Sequence, residues 1–128
     1  MAWTGTSGPV AAAWPDFASP KIVVRCDERR HLLLVIFPTD PADQVVSHET
    51  LSVVSAKMTL LADMHFRSPE DVAADDPPAW AEFAAFPPTR MVLAGDQPLR
   101  FERSDARHPP IAAGAPNAAL RKIVEGCR

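Results

Sequence analysis

Ile22, Val24 and Cys26 alternate with Val23, Arg25 and Asp27, the two-residue period of a strand with one face buried. A polar turn, Asp27-Glu28-Arg29-Arg30, leads into residues 31–37, which are almost wholly apolar up to Pro38. A strand buried on both faces has that composition, so residues 21–37 predict a β-hairpin. Further on, Val54, Ala56, Met58, Leu60, Ala62, Met64 and Phe66 alternate with polar neighbours, Leu61 being the one apolar exception. Residues 54–67 therefore predict a long strand or a bent strand pair, in preference to the helical set Leu51, Val54, Met58, Leu61 and His65.

Ser68-Pro69-Glu70-Asp71 combines a capping side chain, a proline and first-turn acids, which predicts a turn or two of helix. Residues 78–86 place Trp80, Phe83 and Ala84 at helical spacing, predicting a second short helix closed by Pro87-Pro88. Residues 91–94 and 99–102, joined by Gly95-Asp96-Gln97-Pro98, predict a second hairpin with Leu99 and Phe101 pointing inward. Residues 103–110 read as a polar loop. The clearest helix opens near Pro116-Asn117 and carries Leu120, Ile123, Val124 and Cys127 on one face.

Residues 1–20 are punctuated by Gly5, Gly8, Pro9, Pro15 and Pro20 and read as an extended N-terminal arm. Trp3, Trp14 and Phe17 dock it on a single compact domain formed by 21–128. The fold class expected is α+β and mainly β: an antiparallel sheet or small sandwich of hairpins, with short helices and a C-terminal helix packed on the sheet. The connections are too short for helical crossovers, so the pairing should be antiparallel.

The chain has 128 residues, the length of one domain. Its formal net charge of −3 lacks the basic excess that supplies phosphate-backbone affinity, which argues against nucleic acid as a partner. The longest unbroken apolar run, 32–37, falls far short of the roughly 20 residues that cross a bilayer. Residues 1–20 hold no Lys or Arg, so they do not read as an intact secretory signal. P-loop, dinucleotide-binding, nucleophile-elbow and C-x-x-C motifs are all missing from the sequence, and no cofactor is expected.

Candidate chemistry is sparse. His31, His48, His65 and His108 are too scattered to build a metal face, so no metal site is expected. Asp63, His65 and Arg67 would line one face of a strand about 7 Å apart, a possible polar site for acid–base or anion chemistry. Arg25, Arg29 and Arg30 cluster at the first hairpin, and Arg100, Arg103 and Arg107 near the second. Interspersed Asp27, Glu28, Glu102 and Asp105 favour local charge balance there. Trp80, Phe83 and Phe86, framed by two Pro-Pro pairs, read first as core packing; where the first hairpin leaves that face uncovered they form, with Arg29 and Arg30, the best candidate interaction surface.

Cys26 and Cys127 both point at the core, and spacing alone leaves open a bridge or two reduced thiols acting as small hydrophobes. The segment Ile22-Val-Val-Arg-Cys26, the apolar strand after it, and Gly114-Ala-Pro-Asn-Ala-Ala-Leu120 leading through Ile123 to Cys127 resemble small exported proteobacterial β-domains. The nearest family is the type VI secretion-associated VasI family, and the likeness covers about a third of the chain. The family's upstream cysteine-bearing region and its middle motif are not reproduced. The resemblance implies a periplasmic β-rich fold and a bridge between Cys26 and Cys127, and implies no activity.

The expected function is thus a non-catalytic binding or assembly module, periplasmic or secreted, that recognises another protein by surface contact. Two alternatives belong to other classes. One is a small enzyme or ligand-binding protein using Asp63, His65 and Arg67; the other is a cytosolic immunity-type or phage-encoded adaptor with reduced thiols.

Overall fold

The computed structural model describes residues 2–5, 11–38, 48–66 and 77–127. The first alternating segment forms β3 (Ile22–Asp27), and the apolar run forms β4 (Leu32–Phe37). They pair antiparallel with Val24 opposite Val35 and Cys26 opposite Leu33, as the pattern predicted. His31, at φ 56°, takes the left-handed conformation that brings the turn back into β4.

Two stretches of the expected N-terminal arm lie in the same sheet, as β1 (Thr4–Gly5) and β2 (Ala11–Trp14). Ala12 and Trp14 face the core together with Ile22 and Val24 of β3. Trp3 is buried 6.1 Å from Phe101, and its carbonyl accepts a hydrogen bond from Asn117 Nδ2.

The alternation over 54–67 resolves into a bent pair that begins earlier than expected: β5 (Thr50–Val54) and β6 (Thr59–Phe66), joined by a turn at 55–58. The Ser55 hydroxyl donates to the Met58 carbonyl, closing that turn. Leu61, the exception to the alternation, stands 71% exposed on the outward face of β6.

Two predicted elements are corrected. Residues 78–86 are not a helix but contain β7 (Ala79–Ala84), which runs between β4 and β6. Hydrogen bonding on both edges outweighs the weak helical spacing of a six-residue segment, and Ala79, Ala81 and Phe83 point inward at period two. The strand expected over 91–94 belongs instead to α1 (Pro87–Leu93). Pro87-Pro88 begins this helix rather than ending the one before it, because proline fits the first helical turn, where an N–H has no intrahelical partner. The helix predicted after Ser68 lies outside the described residues.

β8 (Leu99–Arg103) and β9 (Ile111–Gly114) complete the sheet, in the order β1-β2-β3-β4-β7-β6-β5-β8-β9. Every pairing is antiparallel. The fold is therefore mainly β, a curled antiparallel sheet with two helices among the described residues.

α2 (Ala118–Gly126) follows the predicted periodicity, with Leu120, Ile123 and Val124 buried and Asn117 accepting the Leu120 N–H as its N-cap. Its end brings Cys127 to Cys26, with a disulfide S–S distance of 2.06 Å and a Cα–Cα distance of 5.5 Å. The inward-facing residues of the curled sheet, including Leu33, Val35, Leu51, Val53, Phe83 and Phe101, form one core with Val92 and Leu93 of α1 and the apolar face of α2.

Candidate functional site

Strand register assembles a row on the outward face of the sheet that no short stretch of sequence displays. Val23, Ile36, Trp80 and His65 are successive cross-strand partners on β3, β4, β7 and β6. Side chains on β7 alternate, so Trp80 faces outward while Phe83 enters the core. Trp80 is half-buried, and the His65 imidazole stacks on its ring at 5.5 Å and 21°. The neighbouring row runs Arg25, Leu34 and Glu82.

Arg30, in the β3–β4 turn, reaches back to this face. Its Nε donates to Asp27 at 2.8 Å and its Nη1 to Glu82 at 3.2 Å. The hydrogen bond from Arg30 holds the Asp27 carboxyl below its ordinary range, and the same contact, with the Glu82 charge, pushes the Arg30 guanidinium upward. Arg29 is exposed in the same turn. Phe86 is 46% exposed at the start of α1, one residue after Ala85, whose N–H donates to the His31 carbonyl.

The proposed interaction residues are therefore only partly brought together. Trp80 and Arg30 share the outward face, and the Ala85–His31 hydrogen bond brings Phe86 toward the β3–β4 turn that also holds Arg29, whereas Phe83 is core.

The possible polar site is equally divided. Asp63 and His65 both face outward from β6, as predicted, but Asp63 is 70% exposed and its nearest imidazole is His48, at 4.0 Å. A solvated pair at that distance contributes little. Arg67 lies outside the described residues. The described residues contain no group of three or more His, Cys, Asp or Glu that could hold a metal ion.

Within the two arginine clusters, Arg30, Arg100 and Arg107 serve local charge balance. Besides the Arg30 contacts, Arg100 pairs with Glu102 at 2.8 Å and Arg107 with Asp105. The hydrogen bond from Arg107 lowers the Asp105 carboxyl to about 2.

Arg103 departs from this pattern. Its side chain is 4% exposed, and Glu49, 1% exposed, receives its Nε at 2.7 Å and its Nη2 at 3.0 Å. The guanidinium lies 5.1 Å from the Phe37 ring centroid and 6.0 Å from that of Phe66. Sequence reasoning missed this buried pair, although one signal was available. Arg103 has the same strand parity as Leu99 and Phe101, and Glu49 the same parity as Leu51 and Val53.

No protein-family model matches the chain, and no curated protein and no solved structure matches it.

Proposed function

We propose that this chain is a non-catalytic recognition module that binds another protein through the outward face of its sheet, in an oxidising compartment, periplasmic or secreted. The observation that carries this reading is Trp80. A large, half-buried aromatic stands on the outward face of an interior strand, stacked on His65, with half-buried Val23 beyond the buried Ile36 in the same row. Rigid aromatic anchors beside apolar surface, rimmed by charges such as Arg30 and Glu82, are the usual energetic centre of protein interfaces. The Cys26–Cys127 bridge supports the compartment, since disulfides persist where thiols are not continually reduced. The resemblance of the two cysteine-bearing segments to the VasI family supports the same periplasmic setting and leaves the partner's identity open.

The test is site-specific photocrosslinking in the producing cell, with benzoylphenylalanine replacing Trp80 in one variant and the exposed Lys122 of α2 in another. A discrete heavier species from position 80 alone supports the reading. No adduct at position 80, or the same adducts from both positions, overturns it.

A further inference from the structure

A cavity of about 390 Å³ opens where the 55–58 turn, α1, the 94–97 loop and α2 meet. Small-molecule sites run from ~300 to ~1,000 Å³, so it is large enough to hold a ligand. Gly95 shapes its wall: a Cβ there would stand 2.5 Å from the Met91 carbonyl oxygen, so glycine lets the loop close on the end of α1. Met58, Met91, Val92 and Ala94 supply an apolar lining, with Met91 65% exposed. Unbranched thioethers adapt to apolar groups of varied shape, and an exposed one is available to a ligand.

Three charges, Lys57, Asp96 and Arg121, flank this lining. Arg30, Arg100, Arg103 and Arg107 each hold a carboxylate, but half-buried Arg121 does not. Its Nη2 donates to the neutral Gly95 carbonyl at 3.2 Å, and its Nε and Nη1 have no acceptor among the described residues. That bond orients the guanidinium without neutralising it. Asp96 is exposed, and its Oδ1 accepts from Gln97 Nε2 at 3.2 Å. This hydrogen bond, and after it the Lys57 and Arg121 charges, hold the Asp96 carboxyl below its ordinary range, so it is ionised at neutral pH. The cavity thus sets one carboxylate and two cations beside a single apolar patch. A simple anion would meet Asp96, and a simple cation would meet two like charges. The electrostatic complement is a molecule that carries both signs on neighbouring atoms, next to an apolar group.

We propose that the cavity binds a free α-amino acid with an apolar side chain. Its carboxylate lies toward Arg121 and Lys57, its ammonium toward Asp96, and its side chain against Met58, Met91 and Val92. A volume of about 390 Å³ equals roughly thirteen waters at ~30 Å³ each, room for one such molecule rather than for a folded partner. None of the lining residues belongs to the outward row through Trp80, so this site and the protein-binding role stand or fall separately.

The experiment is an amide-resolved NMR titration of the intact oxidised protein with L-leucine, N-acetyl-L-leucine and L-leucinamide. The last two keep the side chain and each remove one charge. Leucine should shift the amides of Met58, Gly95, Asp96 and Arg121 saturably, with both blocked forms at least about tenfold weaker. Asp96→Asn should weaken leucine by about the same factor but not N-acetyl-leucine, and Arg121→Gln should weaken leucine but not leucinamide. Unmoved amides in β3 and β4 report that each variant keeps the fold. Non-saturating shifts, equal binding of either blocked form, or leucine binding indifferent to either substitution overturns the proposal.

Discussion

Reducing the bond between Cys26 and Cys127 removes a covalent constraint without removing a heavy atom, which makes it the cleanest perturbation of this fold. The two residues are 101 apart, and a loop near that length restrains the unfolded chain by about 4.7 kcal/mol on the chain-entropy account. At ~0.05–0.15 kcal/mol per residue, a chain of 128 residues has a total stability of roughly 6–19 kcal/mol. The bridge is therefore worth from about a quarter to three quarters of the whole. In the native state the reduced thiols remain buried as small hydrophobes, since Cys26 is 8% and Cys127 0% exposed, so the effect lies mainly in the unfolded ensemble.

Urea unfolding followed by fluorescence of the buried Trp3 and Trp14, with and without reductant, measures it. With a slope of ~1–3 kcal/mol/M, the midpoint should fall by about 1.5–5 M on reduction. The slope should also rise, because an uncrosslinked unfolded chain exposes more surface. Alkylation under denaturing conditions provides the covalent check: neither cysteine takes label until reductant is added. Immediate labelling of both cysteines, or coincident unfolding curves, refutes the reasoning and removes the support for an oxidising compartment.

Glu49→Ala removes the buried carboxylate that holds Arg103 Nε and Nη2 and should cost about 3–5 kcal/mol by urea midpoint, whereas the paired change Glu49→Leu with Arg103→Met should recover most of that loss. A single variant within about 1 kcal/mol of the parent would contradict the burial of the pair. Phe83→Ala should cost about 3–5 kcal/mol by thermal melting and Phe86→Ala less than about 0.5, because one ring is in the core and the other is exposed at the start of α1. Equal losses would mean that the two aromatics share a face, against the strand geometry of β7.

Elements whose pattern and punctuation agree were legible before any coordinates. α2 shows four apolar positions on one face behind an Asn cap, and the β3–β4 hairpin shows alternation, a polar turn and a proline stop. β7 was obscured because its inward residues include Ala79 and Ala81, too small to stand out, while Trp80, Phe83 and Ala84 fall by accident at helical spacing. Pro87-Pro88 can end one element or begin another, and only packing distinguishes the two. The outward row through Trp80 depends on cross-strand register among four strands. The pair Glu49–Arg103 joins positions 54 apart and was hidden by the general rule that charges face water.

The position of β7 in the sheet order has a consequence for unfinished chains. The hairpins β3–β4 and β5–β6 each form from neighbouring residues, yet β4 and β6 both offer a bare edge that only β7 covers. A chain cut or stalled before Ala79 would present both edges at once, one of them on the most apolar strand of the molecule. Unprotected edges of that kind recruit strands from other molecules, so premature termination should yield aggregates rather than a smaller soluble domain. A peptide spanning β7, supplied in trans, would compete with that aggregation by occupying both edges together.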